Sequence, residues 1–156
     1  MSVTTASRWK PYPKPNHSGS AWFGLIPENW DSVPLKHFSA ISRERAGSIP
    51  DGTPYVALEH IESGTGSFEL DDETQDVRSS VNLFSSGDVL YGKLRPYLAK
   101  VVRPEFDGVC STELIVLKSS EGIDTEFLQY LLLSSLFTDY INATTYGVKM
   151  PRVDPD

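Results

Sequence analysis

Apolar residues in this chain come in short runs for most of its length and switch to helical spacing only near the end. Val33, Leu35 and Phe38 alternate, as in a short strand or a helical turn. The turn signal Asp51-Gly52-Thr53-Pro54 precedes a strand at Tyr55-Val56-Ala57-Leu58. Val81–Phe84 leads into a central hairpin, and further strands are expected at Val89–Tyr91, Leu98–Val102 and Val109–Leu117, with turns at Gly64-Thr65-Gly66 and Phe106-Asp107-Gly108. Asp124 is an N-cap with Glu126 in the first turn behind it. Phe127, Leu128, Leu131 and Leu132 then follow a helical period, Ser134-Ser135 breaks it, and Leu136, Phe137, Tyr140 and Ile141 form a second amphipathic helix. Ahead of all this, Pro11, Pro13 and Pro15 alternate in an extended, aromatic-rich arm. The pattern predicts an α+β domain over residues 27–156, with a twisted, mostly antiparallel sheet and a few helices. Residues 1–26 are the extended arm.

The 156 residues are enough for one domain with a core, and eleven glycines and eleven prolines suit a globule rich in turns. The single cysteine, Cys110, leaves no internal disulfide framework and fits a reducing compartment. No apolar run is long enough for a membrane span, and no apolar segment follows Arg8 and Lys10 to make a secretory signal. Net charge is −7, the wrong sign for a protein that grips DNA unaided.

Candidate chemistry is sparse. Cys110-Ser111-Thr112-Glu113 has no histidine nearby in sequence, so Cys110 reads as a small buried side chain and not a nucleophile. Asp71, Asp72, Glu73 and Asp76 could hold a divalent cation, but a solvated turn or helix start is the plainer reading, and no metal site is expected. There is no Asp/Glu-x-Lys nuclease signature, no Gly-Lys-Ser/Thr phosphate loop and no Asn/Asp-Pro-Pro-Tyr, so no catalytic site is expected either. What remains is the stretch Gly87–Arg103, read as strand, tight loop, strand. Its loop carries Lys93 and Arg95 beside Tyr91 and Tyr97, cations and rings suited to a polyanion. Charge alone equally fits a solvated hairpin tip.

Gly87-Asp88-Val89-Leu90-Tyr91-Gly92-Lys93-Leu94-Arg95-Pro96 resembles the "G-D-hydrophobic-L-x-x-K-x-R-P" element in target-recognition domains of type I restriction–modification specificity subunits. Trp22-Phe23-Gly24-Leu25-Ile26-Pro27-Glu28-Asn29-Trp30 resembles that family's "W-L-G-x-I-P-x-x-W" leader, and Thr53-Pro54-Tyr55-Val56 its "x-P-Y-hydrophobic". Ser111 and Glu113 match "x-S-x-E/D-hydrophobic", and Asp124–Leu132 is similar to "I-D-x-x-F-L-x-Y-L-L". Gly147 and Arg152 fall in the signature that closes the recognition domain.

The resemblance implies a non-catalytic domain that reads one half of a split double-stranded DNA target. Two type I methyltransferase subunits would clamp around it and the DNA, carry S-adenosylmethionine and flip an adenine. A restriction subunit would join through them with ATP and Mg. The chain itself would need no cofactor and would work in a prokaryotic cytoplasm. In the family a long helix and a second recognition domain follow, so the chain is expected to be one half, ending before that helix. The expected DNA contacts are Tyr91, Lys93, Arg95 and Tyr97 on the loop, with Thr145, Tyr146, Lys149 and Arg152 near the end. Arg95 is the expected guanine reader, although Lys93 and Arg95 could equally position the loop. The alternative function is a protein-interaction module that docks on the methyltransferase subunit without reading bases.

Overall fold

A computed structural model describes residues 10, 13–20, 23–47, 49, 51–71 and 80–144. The chain divides into two compact units, Met1–Pro34 and Leu35–Asp156. In the first, the proline-rich arm folds back as a hairpin. Strand β1 (Pro15–His17) pairs antiparallel with β2 (Leu25–Pro27), Asn16 opposite Ile26. Pro15 is tolerated because it opens its strand, where a missing N–H breaks no interior ladder bond. Gly19 and Gly24, both at positive φ, turn the chain, and Ser18 N–H donates to Gly24 O at 2.9 Å.

The second unit begins with a 3-10 turn at Leu35–His37 and continues through β3 (Ser39–Ile41), β4 (Arg45–Ala46) and β5 (Tyr55–Val56). A 3-10 turn at Leu58–His60 is followed by β6 (Val81–Phe84) and β7 (Val89–Gly92). After a third 3-10 turn, Pro96–Leu98, come β8 (Val101–Val102), β9 (Gly108–Cys110) and β10 (Leu114–Ser119). Helices α1 (Thr125–Leu133) and α2 (Ser135–Thr144) close the described fold. The α+β class expected from the sequence holds, but the single sheet becomes two. One has the order β3-β10-β7-β8 and is antiparallel throughout; the other has the order β4-β6-β9-β5, with only β5 and β9 parallel.

Side-chain alternation shows how the layers stack. Leu90, Val102, Leu114 and Val116 of the first sheet join Val56, Phe84 and Cys110 of the second in one apolar cluster. Their neighbours Val89, Tyr91, Val101, Ile115 and Leu117 point the other way, onto Leu128 and Leu132 of α1. The first sheet is therefore buried on both faces between the second sheet and the helices. That is why its strands read as unbroken apolar runs, with no polar face to mark.

Two details differ from the sequence pattern. The run Val109–Leu117 is two strands, because Ser111–Glu113 turns the chain out of the second sheet and into the first. There the Ser111 hydroxyl accepts the Glu113 N–H (3.2 Å) and the Ser111 carbonyl accepts the Leu114 N–H (3.0 Å). The expected strand Leu98–Val102 shrinks to Val101–Val102, the first part being taken by the 3-10 turn. The helices start and stop where polar side chains predict. Asp124 Oδ1 accepts the N–H groups of Glu126 (2.7 Å) and Phe127 (3.2 Å). Ser134 ends α1 by donating to Leu131 O (2.7 Å) and begins α2 by accepting from Phe137 N–H (3.2 Å).

Burial sets two titrations. Cys110 is fully buried, and desolvation pushes its thiol from 9.0 up to about 12, the charge of Lys93 opposing the shift. Burial likewise takes Tyr91 from 10.0 up to about 12. Both groups keep their protons in the folded chain where the unfolded chain has lost them. Their contribution is therefore complete below pH about 9 and is lost as pH rises through about 12. Urea midpoints measured from pH 7.5 to 11 are expected to be level at first and to fall above about 9; a rise there would contradict the burial of both groups.

Candidate nucleic-acid interface

The loop between β7 and β8 is built from a fixed base. Just before β7, Gly87 sits at φ 86° with its N–H on Pro104 O (2.8 Å), and the buried Asp88 carboxylate accepts the Ser85 N–H (2.8 Å). At the loop's near end Gly92 N–H donates to Lys100 O (2.9 Å) and Lys93 N–H to Glu113 O (2.9 Å). At the far end Lys100 Nζ donates to Leu58 O (2.8 Å), while Gly64 N–H donates to Ala99 O (3.1 Å). Helix α2 packs against the Pro96–Leu98 turn, whose Pro96 is buried.

Gly92 has its place for a reason other than backbone freedom, since its φ is not positive. A Cβ there would lie 2.8 Å from Leu58 Cδ1, 3.3 Å from Lys100 Cβ and 3.4 Å from Lys100 O. Gly92→Ala is expected to cost about 1 kcal/mol, the low end for overpacking, because the Leu58 methyl can turn aside while the Lys100 backbone cannot. A lower urea midpoint at unchanged slope would match this; an unchanged midpoint would deny the close approach.

The left-handed positions fall instead on two residues with side chains. Arg95 has φ 50°, ψ 61° and Ala99 has φ 45°, ψ 53°, one on each side of the 3-10 turn. Each costs roughly 1–2 kcal/mol relative to ordinary backbone. Strain held at two points of one loop by packing and hydrogen bonds is a reason to look for function there. Its product is an outward-facing pair: Arg95 is exposed and Tyr97 is 53% exposed. Lys100, Arg103 and Lys118 have partners at 2.8, 3.4 and 3.4 Å, whereas among the described residues no carboxylate pairs with Lys93 or Arg95.

Tyr91 needs a correction. It is 4% exposed and meets Phe137 edge-on (ring centroids 5.9 Å apart), so it supports the loop from the core and does not stack on a ligand. Lys93 is partly buried and turns from the tip toward a neighbouring cleft of about 360 Å³. Arg43, Arg45 and Asn82 line the same cleft. The one local signal for Arg43 and Arg45 is their i, i+2 spacing, which puts both on one side of an extended segment. Thr145, Tyr146, Lys149 and Arg152 lie outside the described residues, as do Asp72, Glu73 and Asp76 of the acidic cluster. Asp71 stands 3.3 Å from His60 Nε2. No group of three potential metal ligands occurs among the described residues.

No family model matches the chain. The specificity subunit of the type I restriction enzyme EcoDI from Escherichia coli is 32% identical over 135 residues, which cover 83% of this chain and 29% of the relative. Over most of its own length the chain is similar to a type I restriction specificity subunit. Two solved structures agree with this. The HsdS subunit from Thermoanaerobacter tengcongensis is 27% identical with a TM-score of 0.58, over 78% of this chain and 34% of that one. A chain from a study of complex assembly and conformational transition in the type I R-M system is 25% identical with a TM-score of 0.54, over 74% and 36%. The chain thus spans about a third of the length of each of these proteins. Much of the Gly-Asp…Arg-Pro element through which it resembles the family has a structural task. Gly87 and Asp88 close a turn, Leu90 fills the core, and Arg95-Pro96 sets the strained entry to the exposed turn.

Proposed function

We propose that this chain is one target-recognition domain of a type I specificity subunit and that it reads part of a double-stranded DNA sequence. The observation that carries this reading is the preorganised loop that exposes Arg95 and Tyr97, in a chain similar to such a subunit. A guanidinium carried on a stiff loop can make the bidentate contact that distinguishes guanine in the major groove, and with the loop backbone already ordered, binding has only the side chain left to order. Tyr97 offers a ring at the same surface. Thr145, Tyr146, Lys149 and Arg152 remain candidates for phosphate contact. The domain does no chemistry of its own on this account. Methyltransferase subunits supply S-adenosylmethionine and much of the grip on phosphate, which answers the net charge of −7. The restriction subunit, with ATP and Mg, joins through them.

The acidic balance also favours a second reading, in which the domain docks on the methyltransferase subunit without reading bases. Gel filtration of the chain with its methyltransferase subunit, with and without duplex, separates the two. Sequence recognition predicts a ternary complex whose stability depends on duplex sequence. A binary complex indifferent to duplex sequence would leave docking alone.

A further inference from the structure

The cleft beside the loop lies where the two sheets part. The link from β3 to β4 leaves the first sheet with Ser42 N–H on Val116 O (2.8 Å) and enters the second with its Glu44 carbonyl accepting Leu83 N–H (2.9 Å). On the β10 side, the Asn82 side-chain amide donates to Leu114 O (3.0 Å), tying the sheets together beneath the opening. Arg43 and Arg45 from this link and Lys93 from the loop after β7 line the space, over a floor that includes Asn82 and Leu114. Two segments about fifty residues apart thus bring three cations to one cleft, in a chain whose overall charge is −7.

Three like charges around one cleft, Arg43 and Arg45 exposed and Lys93 partly buried, make a locally positive spot that favours an anion. The acidic neighbours answer only part of this. Glu44 pairs with Lys118 at 3.4 Å, and Arg43 and Glu113 each have a partner within the protein. The Cys110 thiol, near enough to feel the Lys93 charge, stays protonated and contributes none. Among the described residues no carboxylate pairs with Arg45 or Lys93. At about 360 Å³ the cleft lies near the lower end of ligand-site sizes, which start at roughly 300 Å³.

We propose that this seam is an anion subsite in which Arg45 and Lys93 hold a phosphate, and that on the DNA-recognition reading above the phosphate belongs to the DNA backbone. Lys93 is then a positioning cation that fixes the register of the duplex, and base discrimination is left to the exposed Arg95. Phosphate contacts fix orientation without carrying sequence information, so the two roles separate in measurement.

The test is an amide NMR titration of the full chain and of the Arg45→Gln/Lys93→Gln double variant with inorganic phosphate, followed by the affinity of each, together with the methyltransferase subunit, for a 20-bp random-sequence duplex at about 50 mM salt, where phosphate contacts weigh most. Glutamine keeps chain length, and the variant's own spectrum reports whether it folds. Expected are phosphate-dependent shifts at Arg45, Asn82 and Lys93 in the native chain only. Duplex affinity should fall roughly tenfold in the variant, with a salt slope shallower by about one. Phosphate shifts at the seam with no duplex binding even when the methyltransferase subunit is present would support the subsite for free phosphate and overturn the DNA reading. Duplex binding with equal affinity and slope in both proteins, and no phosphate shifts, would overturn the subsite and leave the DNA reading standing.

Discussion

Arg95→Gly is expected to be more stable than Arg95→Ala by about 1 kcal/mol, although glycine ordinarily destabilises, while both lose the same DNA affinity. The backbone at Arg95 is left-handed, at φ 50° and ψ 61°, where a Cβ costs energy and glycine does not. Alanine keeps that cost and glycine removes it, by more than the extra freedom glycine gives the unfolded chain. Neither keeps the guanidinium. If Arg95 reads a base edge, each variant loses about 1–3 kcal/mol of discrimination at one base pair, roughly 5- to 150-fold, and leaves other positions alone. Urea unfolding checks the first half and fluorescence anisotropy with single-substitution duplexes the second. The usual order of stability would deny the left-handed conformation. An equal loss on every duplex would make Arg95 a phosphate contact.

Leu128→Ala should be the most damaging substitution in the helices. Leu128 is fully buried and packs with Val89, Tyr91 and Val101 under α1. Removing it leaves a cavity between helix and sheet at a cost of about 2–5 kcal/mol, against a total stability of about 5–15 kcal/mol for a typical domain. Its neighbour Phe127 is 49% exposed, and Phe127→Ala is expected to stay within about 0.5 kcal/mol. Because α2 packs on the Pro96–Leu98 turn, loosening the helical layer should also loosen the Arg95 loop. Thermal unfolding of the two variants decides this. Equal losses would mean that the helix faces are assigned the wrong way round.

The helices were legible because their boundaries are written in local chemistry: the Asp124 carboxylate on two N–H groups, and the Ser134 hydroxyl bonded to both helices. The division into two sheets was not, since a sheet covered on both faces shows no alternation to follow. The same concealment made Tyr91 look like a partner of Lys93 when it faces the helices. Ser111–Glu113 held the signal for a strand break, but it was read as the polar part of a single strand. The cleft was out of reach for a different cause. Arg43 and Arg45 meet Lys93 only because β3 and β4 belong to different sheets, a fact of topology that no local spacing carries. The reason for a glycine at position 92 was equally out of reach, close approach being invisible without its neighbours Leu58 and Lys100.

The central claim is that this chain reads bases through the Arg95 loop, and selection from a randomised duplex library tests it most directly. The native chain and Arg95→Ala are each mixed with the methyltransferase subunit, and the retained DNA is sequenced. The account predicts a short enriched motif with the native chain, and the same motif relaxed at one position with the variant. No enrichment with the native chain, or an identical motif from both proteins, would contradict it.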